Sequence, residues 1–141
     1  MSSILDPFDD FPASYENARV IGCFRAFCVR VVDGDTYDFI LDLGVTIRVK
    51  LRVRLRGFDT AEYFHPSNNI ELAHAMEAIE FVTPLIFMQP CLVRTYRTKS
   101  GSDVTTVGRY VADVYYQEEP SQFRDIKYPM HEAKLEKREE Y

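Results

Sequence analysis

Residues able to do chemistry crowd into two short stretches of this chain. One is Asp33-Gly34-Asp35-Thr36, and the other is Arg54-Leu55-Arg56-Gly57-Phe58-Asp59-Thr60-Ala61-Glu62. Carboxylates are the ligands that a hard divalent cation prefers. A planar guanidinium meets a phosphate with paired hydrogen bonds that an ammonium cannot reproduce. An ionised glutamate can take a proton from water. Gathered in one place, these groups imply metal-dependent chemistry on a phosphodiester, so the question becomes whether the fold gathers them.

The neighbouring elements say that it does. Val29 to Val32 is apolar and β-branched apart from Arg30, and it ends in the Asp-Gly-Asp turn. From Thr36 to Leu43 the residues alternate, with Tyr37, Phe39, Leu41 and Leu43 on one face and Thr36, Asp38, Ile40 and Asp42 on the other. After Gly44, a second alternation sets Ile47, Val49, Leu51, Val53 and Leu55 against Arg48, Lys50, Arg52, Arg54 and Arg56. Those cations must face outward, because burying them unpaired is prohibitive. Pairing the two runs as a hairpin around Gly44 sets Arg54 opposite positions 34 to 36, with Asp59 just beyond. Asp33, Asp35, Arg54, Asp59 and Glu62 are thereby predicted to meet at one edge of a sheet.

Composition bounds the rest. The 141 residues fit one domain with a core of its own. Cys23, Cys28 and Cys91 are odd in number and lack metal-ligand spacing, which fits reduced thiols in an intracellular, cytoplasmic protein, whether cellular or phage-borne. No apolar run is long enough to span a bilayer, and the start lacks the basic and apolar regions of a signal peptide. The net charge of −5 opposes a polyanionic partner at first sight. The excess is concentrated at the ends: residues 1–20 carry −3 and residues 117–141 carry −2, so the middle is neutral. A cation bound by the acids of the middle would let it present a positive face.

In chain order, residues 1–20 read as an acidic arm containing Phe8, Phe11 and Tyr15 and broken by Pro7 and Pro12. It is either an extended arm on the domain, a docking segment for a protein partner, or a flap over the basic face. Strands are predicted near 21–32, 36–43 and 45–58. Asn68 with Glu71 makes a capping box opening a helix near 69–83, which Pro84 should kink or end. Strands follow near 92–96 and 108–116, separated by a polar turn. Residues 117–141 read as a loosely attached charged tail, with one short helix available from His131 to Glu139. The domain proper is thus 21–116, mostly β, and the order of elements suggests a five-stranded OB-type barrel.

At this point the segments VVDGDTYDF, VRLRGFDTAEYFHP and VGRYVADVYY, with the helix between the last two, resemble the staphylococcal (thermonuclease-like) nuclease family from about Val29 to Tyr116. The resemblance implies a calcium-dependent nuclease on an OB-type barrel, hydrolysing DNA or RNA with little sequence preference. Carried over by position, it implies that Asp35 and Asp59 bind the metal through carboxylates and Thr60 through its carbonyl. Glu62 would activate water, Arg54 and Arg109 would hold the scissile phosphate, and Asp33 would stand behind the metal. Ala61 replaces the proline common in the family. Thr106 and Val107 replace a lysine and a tyrosine that help hold substrate, and the family's later helix has no clear counterpart in 117–141.

Simpler roles are open for several of these residues. Arg48, Lys50 and Arg52 share an outward face with Asp38 and Asp42, where cross-strand ion pairs would occupy them. The histidines at 65, 74 and 131 share no ligand spacing. Two classes of function follow: an active nuclease, which a partner could complete, or a nuclease-like barrel retained as a protein- or nucleic-acid-binding assembly module.

Overall fold

The computed structural model describes residues 20–96, 105–106 and 109–141. The arm expected over 1–20, the polar turn before the last strand and Gly108 lie, apart from Val20, outside the described residues. Among the described residues, seven strands and two helices follow in the order β1 (Val20–Asp33), β2 (Thr36–Gly44), β3 (Ile47–Leu55), α1 (Asn69–Ile86), β4 (Pro90–Tyr96), β5 (Thr105–Thr106), β6 (Arg109–Glu119), β7 (Gln122–Asp125) and α2 (Lys127–Glu132).

A long, bent first strand makes the architecture possible. One half of β1 pairs with β4 and the other with β2, both antiparallel, and its register slips between Cys28 and Arg30 and again between Val31 and Asp33. Such slips bend and twist a strand, and here they let it serve both walls. The sheet order β3-β2-β1-β4-β6 closes when β6 pairs in parallel with β3. The result is a closed five-stranded mixed barrel of OB type, as the order of predicted elements suggests.

Alternation fills the barrel. Tyr37, Phe39 and Leu41 of β2 are buried against Val53 and Leu55 of β3, while Ile40 faces outward. Leu43 and Ile47 continue the inward pattern in sequence and yet are exposed. They lie at the tip of the β2–β3 hairpin, beyond the interior. That tip turns through Val45 and Thr46, both with positive φ (54° and 61°), and Val45 is 88% exposed.

Helix α1 packs Ala75, Ala78, Val82 and Ile86 into the core. Asn68 caps it, its side chain accepting the Glu71 N–H at 2.9 Å. The helix runs three residues past the stop expected near Thr83. Pro84 sits in its last turn, burial of Ile86 holds that turn against the core, and the Phe87 N–H closes it on the Thr83 carbonyl at 2.9 Å.

The C-terminal segment departs most from expectation, because it packs instead of hanging loosely. β6 runs on to Glu119 and turns back as β7, and Ile126, Met130 and Leu135 are fully buried. Each contributes roughly 1.5–3 kcal/mol by leaving water. The helix found there, Lys127–Glu132, begins earlier than the one available from the sequence. Buried His74 of α1 anchors the last residues, with Nε2 on the Lys134 carbonyl at 2.9 Å and Nδ1 on the Tyr141 hydroxyl at 2.6 Å. A carbonyl can only accept, so Nε2 donates to it.

Candidate active site

The hairpin register sets Thr36 opposite Arg54, inside the window read from the sequence. Asp33 pairs with Thr36 across the first turn, and Arg54 pairs with Val111 where the barrel closes. One row across the strands therefore carries Asp33, Thr36 and Arg54. A cleft of about 340 Å³ opens over it, and its walls include Asp33, Asp35, Arg54, Thr60, Glu62 and Arg109.

Asp35 is the buried centre of this group, only 6% exposed. Its carboxylate accepts the Thr60 N–H at 3.0 Å and the Thr36 hydroxyl at 3.0 Å, and it faces the Arg54 guanidinium at 3.4 Å. Arg54 also holds Asp59, whose carboxylate is otherwise largely exposed. Burial opposes the charge of Arg54, and its contacts with Asp59 and Asp35 outweigh that cost and raise its pKa. Asp33 accepts the Asp35 N–H at 3.1 Å. Burial, and then the neighbouring Asp35 carboxylate, push Asp33 up to about 7.

Gly34 makes this turn possible by its lack of a side chain. A Cβ there would stand 2.7 Å from the Cβ of Ala78 and 2.7 Å from the Oγ1 of Thr60. The turn is thus pressed between the helix and the Thr60 loop. Tyr37, buried beneath, donates its hydroxyl hydrogen to the Gly34 carbonyl at 2.5 Å.

The loop bearing Glu62 is held from two sides. Glu71, 3% exposed in the first turn of α1, accepts the Glu62 N–H at 3.0 Å, and the Ser67 N–H and hydroxyl at 2.8 and 2.9 Å. The capping box expected from sequence is therefore half of one. Asn68 caps Glu71, and Glu71 reaches past the cap to the loop. The backbone donors of Glu62 and Ser67 pull Glu71 down to about 2. From the other side, the Lys137 N–H donates to the Asp59 carbonyl at 2.8 Å, and Lys137 Nζ lies 3.6 Å from the Glu62 carboxylate.

All seven residues singled out from the sequence thus converge, Asp59 joining through Arg54. Others take their places only in the fold. Glu71 and Lys137 hold the loop, and Arg30 lines the cleft. Lys137 lies in a charged stretch without periodicity, and no pattern pointed to it. Among the outward pairs, Arg52 binds Asp38 through two nitrogens at 2.8 and 3.1 Å, as cross-strand pairing predicts. Asp42, directly opposite Arg48, instead binds Arg25 of β1 at 2.5 Å.

A second charged knot stabilises the barrel seam. Asp113, 3% exposed on β6, binds Lys127 at 2.7 Å, Arg56 at 3.3 Å and the Tyr96 hydroxyl. Arg56 also lies over the Tyr96 ring at 4.5 Å.

Among the described residues, no three histidine, cysteine, aspartate or glutamate side chains already stand as a metal-binding group, and no helix is long and apolar enough to cross a membrane. The donor chemistry nonetheless fits a hard divalent cation. Asp33, half-buried, and Asp35, buried, stand side by side and offer oxygen ligands alone. The Thr60 hydroxyl oxygen beside them is buried without a hydrogen-bond partner among the described residues. Neither protein-family models nor the sequences of curated proteins match this chain.

Proposed function

We propose that the protein is a metal-dependent nuclease, hydrolysing phosphodiester bonds of DNA or RNA with little sequence preference. The observation that carries this reading is the meeting of Asp35, Arg54, Thr60, Glu62 and Arg109 around one cleft, from three separate parts of the chain. Resemblance of the same residues to thermonuclease-like enzymes supports it and makes calcium the expected ion.

Each residue then has a task that follows from its chemistry. Asp35, with Asp59 and the Thr60 carbonyl, would hold the cation, which when bound supplies Lewis acidity toward a phosphate oxygen. Glu62 takes a proton from the attacking water, its loop held by Glu71 and the C-terminal segment. Arg54 and Arg109 bind the phosphate and meet the negative charge that grows on its oxygens. Little of this reads a base, so sequence preference is weak.

The test is cleavage of labelled single-stranded DNA by the full chain with calcium, with magnesium and with chelator. Calcium-dependent cleavage should fall by about 10²–10³ in Arg54→Ala, as when one preorganised donor is lost, and should collapse in Glu62→Gln. Folded protein that binds calcium and cleaves neither DNA nor RNA would sink the reading.

A second reading, a barrel retained for assembly, is favoured by one observation. An apolar groove of about 480 Å³ is lined by Phe27, Ile40, Met88, Leu92 and Phe123, together with Arg48 and the Arg25–Asp42 ion pair. Its chemistry suits a partner segment rich in aromatic residues. Absent cleavage, together with binding of such a peptide lost in Phe27→Asp, would establish it.

A further inference from the structure

A second row of side chains crosses the barrel beside the one that carries Arg54. Arg30 of β1 pairs with Asp38 of β2, and Asp38 pairs with Arg52 of β3. Arg109 continues the row, since β6 runs parallel to β3 and Tyr110 pairs with Val53. Arg30, Arg52 and Arg109 all line the cleft. The row lies two residues from Thr36 and Arg54, about 6.8 Å along the strands, a separation that neighbouring phosphates of one strand can bridge.

The single acid in this row cancels only one of its cations. Asp38 is buried, and both of its oxygens are taken by Arg52. That bidentate contact fixes the Arg52 guanidinium in place and leaves the charge of Arg30 uncompensated by its strand neighbour. Arg30 itself is exposed. A phosphate laid across the row would therefore meet one pre-positioned guanidinium and one that has no ion-pair partner among the described residues.

An aromatic platform stands at the same cleft. Phe64 lines it and is 55% exposed, although a phenylalanine gains by burial, and its ring is braced edge-on against Tyr63 with centroids 5.0 Å apart. An exposed, braced ring next to a cationic track is the combination that binds unpaired strands, because every base offers a face to stack while the backbone follows the charge. A paired base in a duplex has no free face to offer.

The geometry points to a second nucleotide subsite in this cleft, in which Arg30 and Arg52 hold the phosphate next to the scissile one and Phe64 stacks on an unpaired base. Such a subsite engages a polynucleotide strand through at least two consecutive phosphates. This rests on the nuclease reading for the identity of the scissile phosphate, and on the arginine row and Phe64 for the rest.

Binding is measured with the full chain carrying Glu62→Gln, so that the strand stays whole, using a labelled oligothymidylate in calcium over a range of salt. Arg30→Ala should weaken binding about tenfold and lower the magnitude of the salt slope by about 0.7, the value for one lost phosphate contact on a single strand. Phe64→Ala should weaken it by about tenfold with the slope unchanged, as for loss of one stacked base. Arg25→Ala, which removes an arginine that does not line this cleft, should do neither. A duplex of the same length should bind more weakly than the single strand. If Arg30→Ala and Phe64→Ala both match Arg25→Ala, the subsite is wrong, even where the unmodified chain cleaves DNA. If strand binding depends on Arg30 and Phe64 but the unmodified chain cleaves nothing, the subsite stands and the catalytic reading falls.

Discussion

The carboxylate of Glu71, in the first turn of α1, accepts the backbone N–H of Glu62 at 3.0 Å. A helix start thereby fixes the loop that carries the proposed base. Because Glu71 is pulled down to about 2 from an ordinary 4.5, the folded state prefers it ionised. Its stabilisation is therefore complete above pH 4.5 and disappears as the pH falls through 2. Thermal melts should show Glu71→Gln less stable than the parent at neutral pH, with the gap closing between pH 4.5 and 2. A gap that stays constant over that window would show that Glu71 stabilises through packing and not through its charge.

Gly34 supports the site by leaving room for it. Gly34→Ala forces a methyl group against Ala78 and Thr60, and overpacking of this kind costs about 1–3 kcal/mol. The substitution should lower the unfolding free energy by that much, read from denaturant midpoints. It should also weaken the proposed calcium binding, read by calorimetry, because the methyl displaces the loop that carries Thr60.

The C-terminal segment belongs to the domain. Leu135→Ala removes a fully buried side chain and should cost about 2–5 kcal/mol. Urea unfolding should show one cooperative transition shifted to lower denaturant. A stability unchanged by Leu135→Ala would mean that this segment is not docked in solution.

The β2–β3 turn stores strain that the site does not need. Val45 and Thr46 are β-branched residues held at positive φ, where an Asn-Gly pair is far better suited. The double substitution Val45→Asn with Thr46→Gly should stabilise the protein by about 1–3 kcal/mol, the usual cost of residues held in sparsely populated backbone conformations. Neither residue lines the cleft, so cleavage should be unchanged.

The two hairpin strands could be read because alternation and the position of Gly44 determine which residues oppose each other, and Thr36 opposite Arg54 follows from that pattern. The start of α1 was legible through Asn68. What Glu71 does was not, because a carboxylate three residues after a cap has the same sequence spacing whether it turns back to the cap or reaches onward to a loop. The docked C-terminus was hidden for another reason. Ile126, Met130 and Leu135 are spaced by four and five residues among charges, with Pro129 between them, so no helical or strand period marks them as core. The row of Arg30, Asp38 and Arg52 needed three strands in register, and the slips in β1 that set the first of these contacts have no sequence signature.

Lys137 grips the backbone of Asp59 across most of the domain, and this sets an order of events when the chain is made. The turn bearing Asp35 and the hairpin bearing Arg54 involve near neighbours and can form early. The contact from Lys137 to the Asp59 carbonyl closes a much longer loop and must come late. Nascent chains that have not yet released residues 126–137 thus hold the parts of the site without its final clasp. Synthesis itself delays the moment at which the cleft becomes whole.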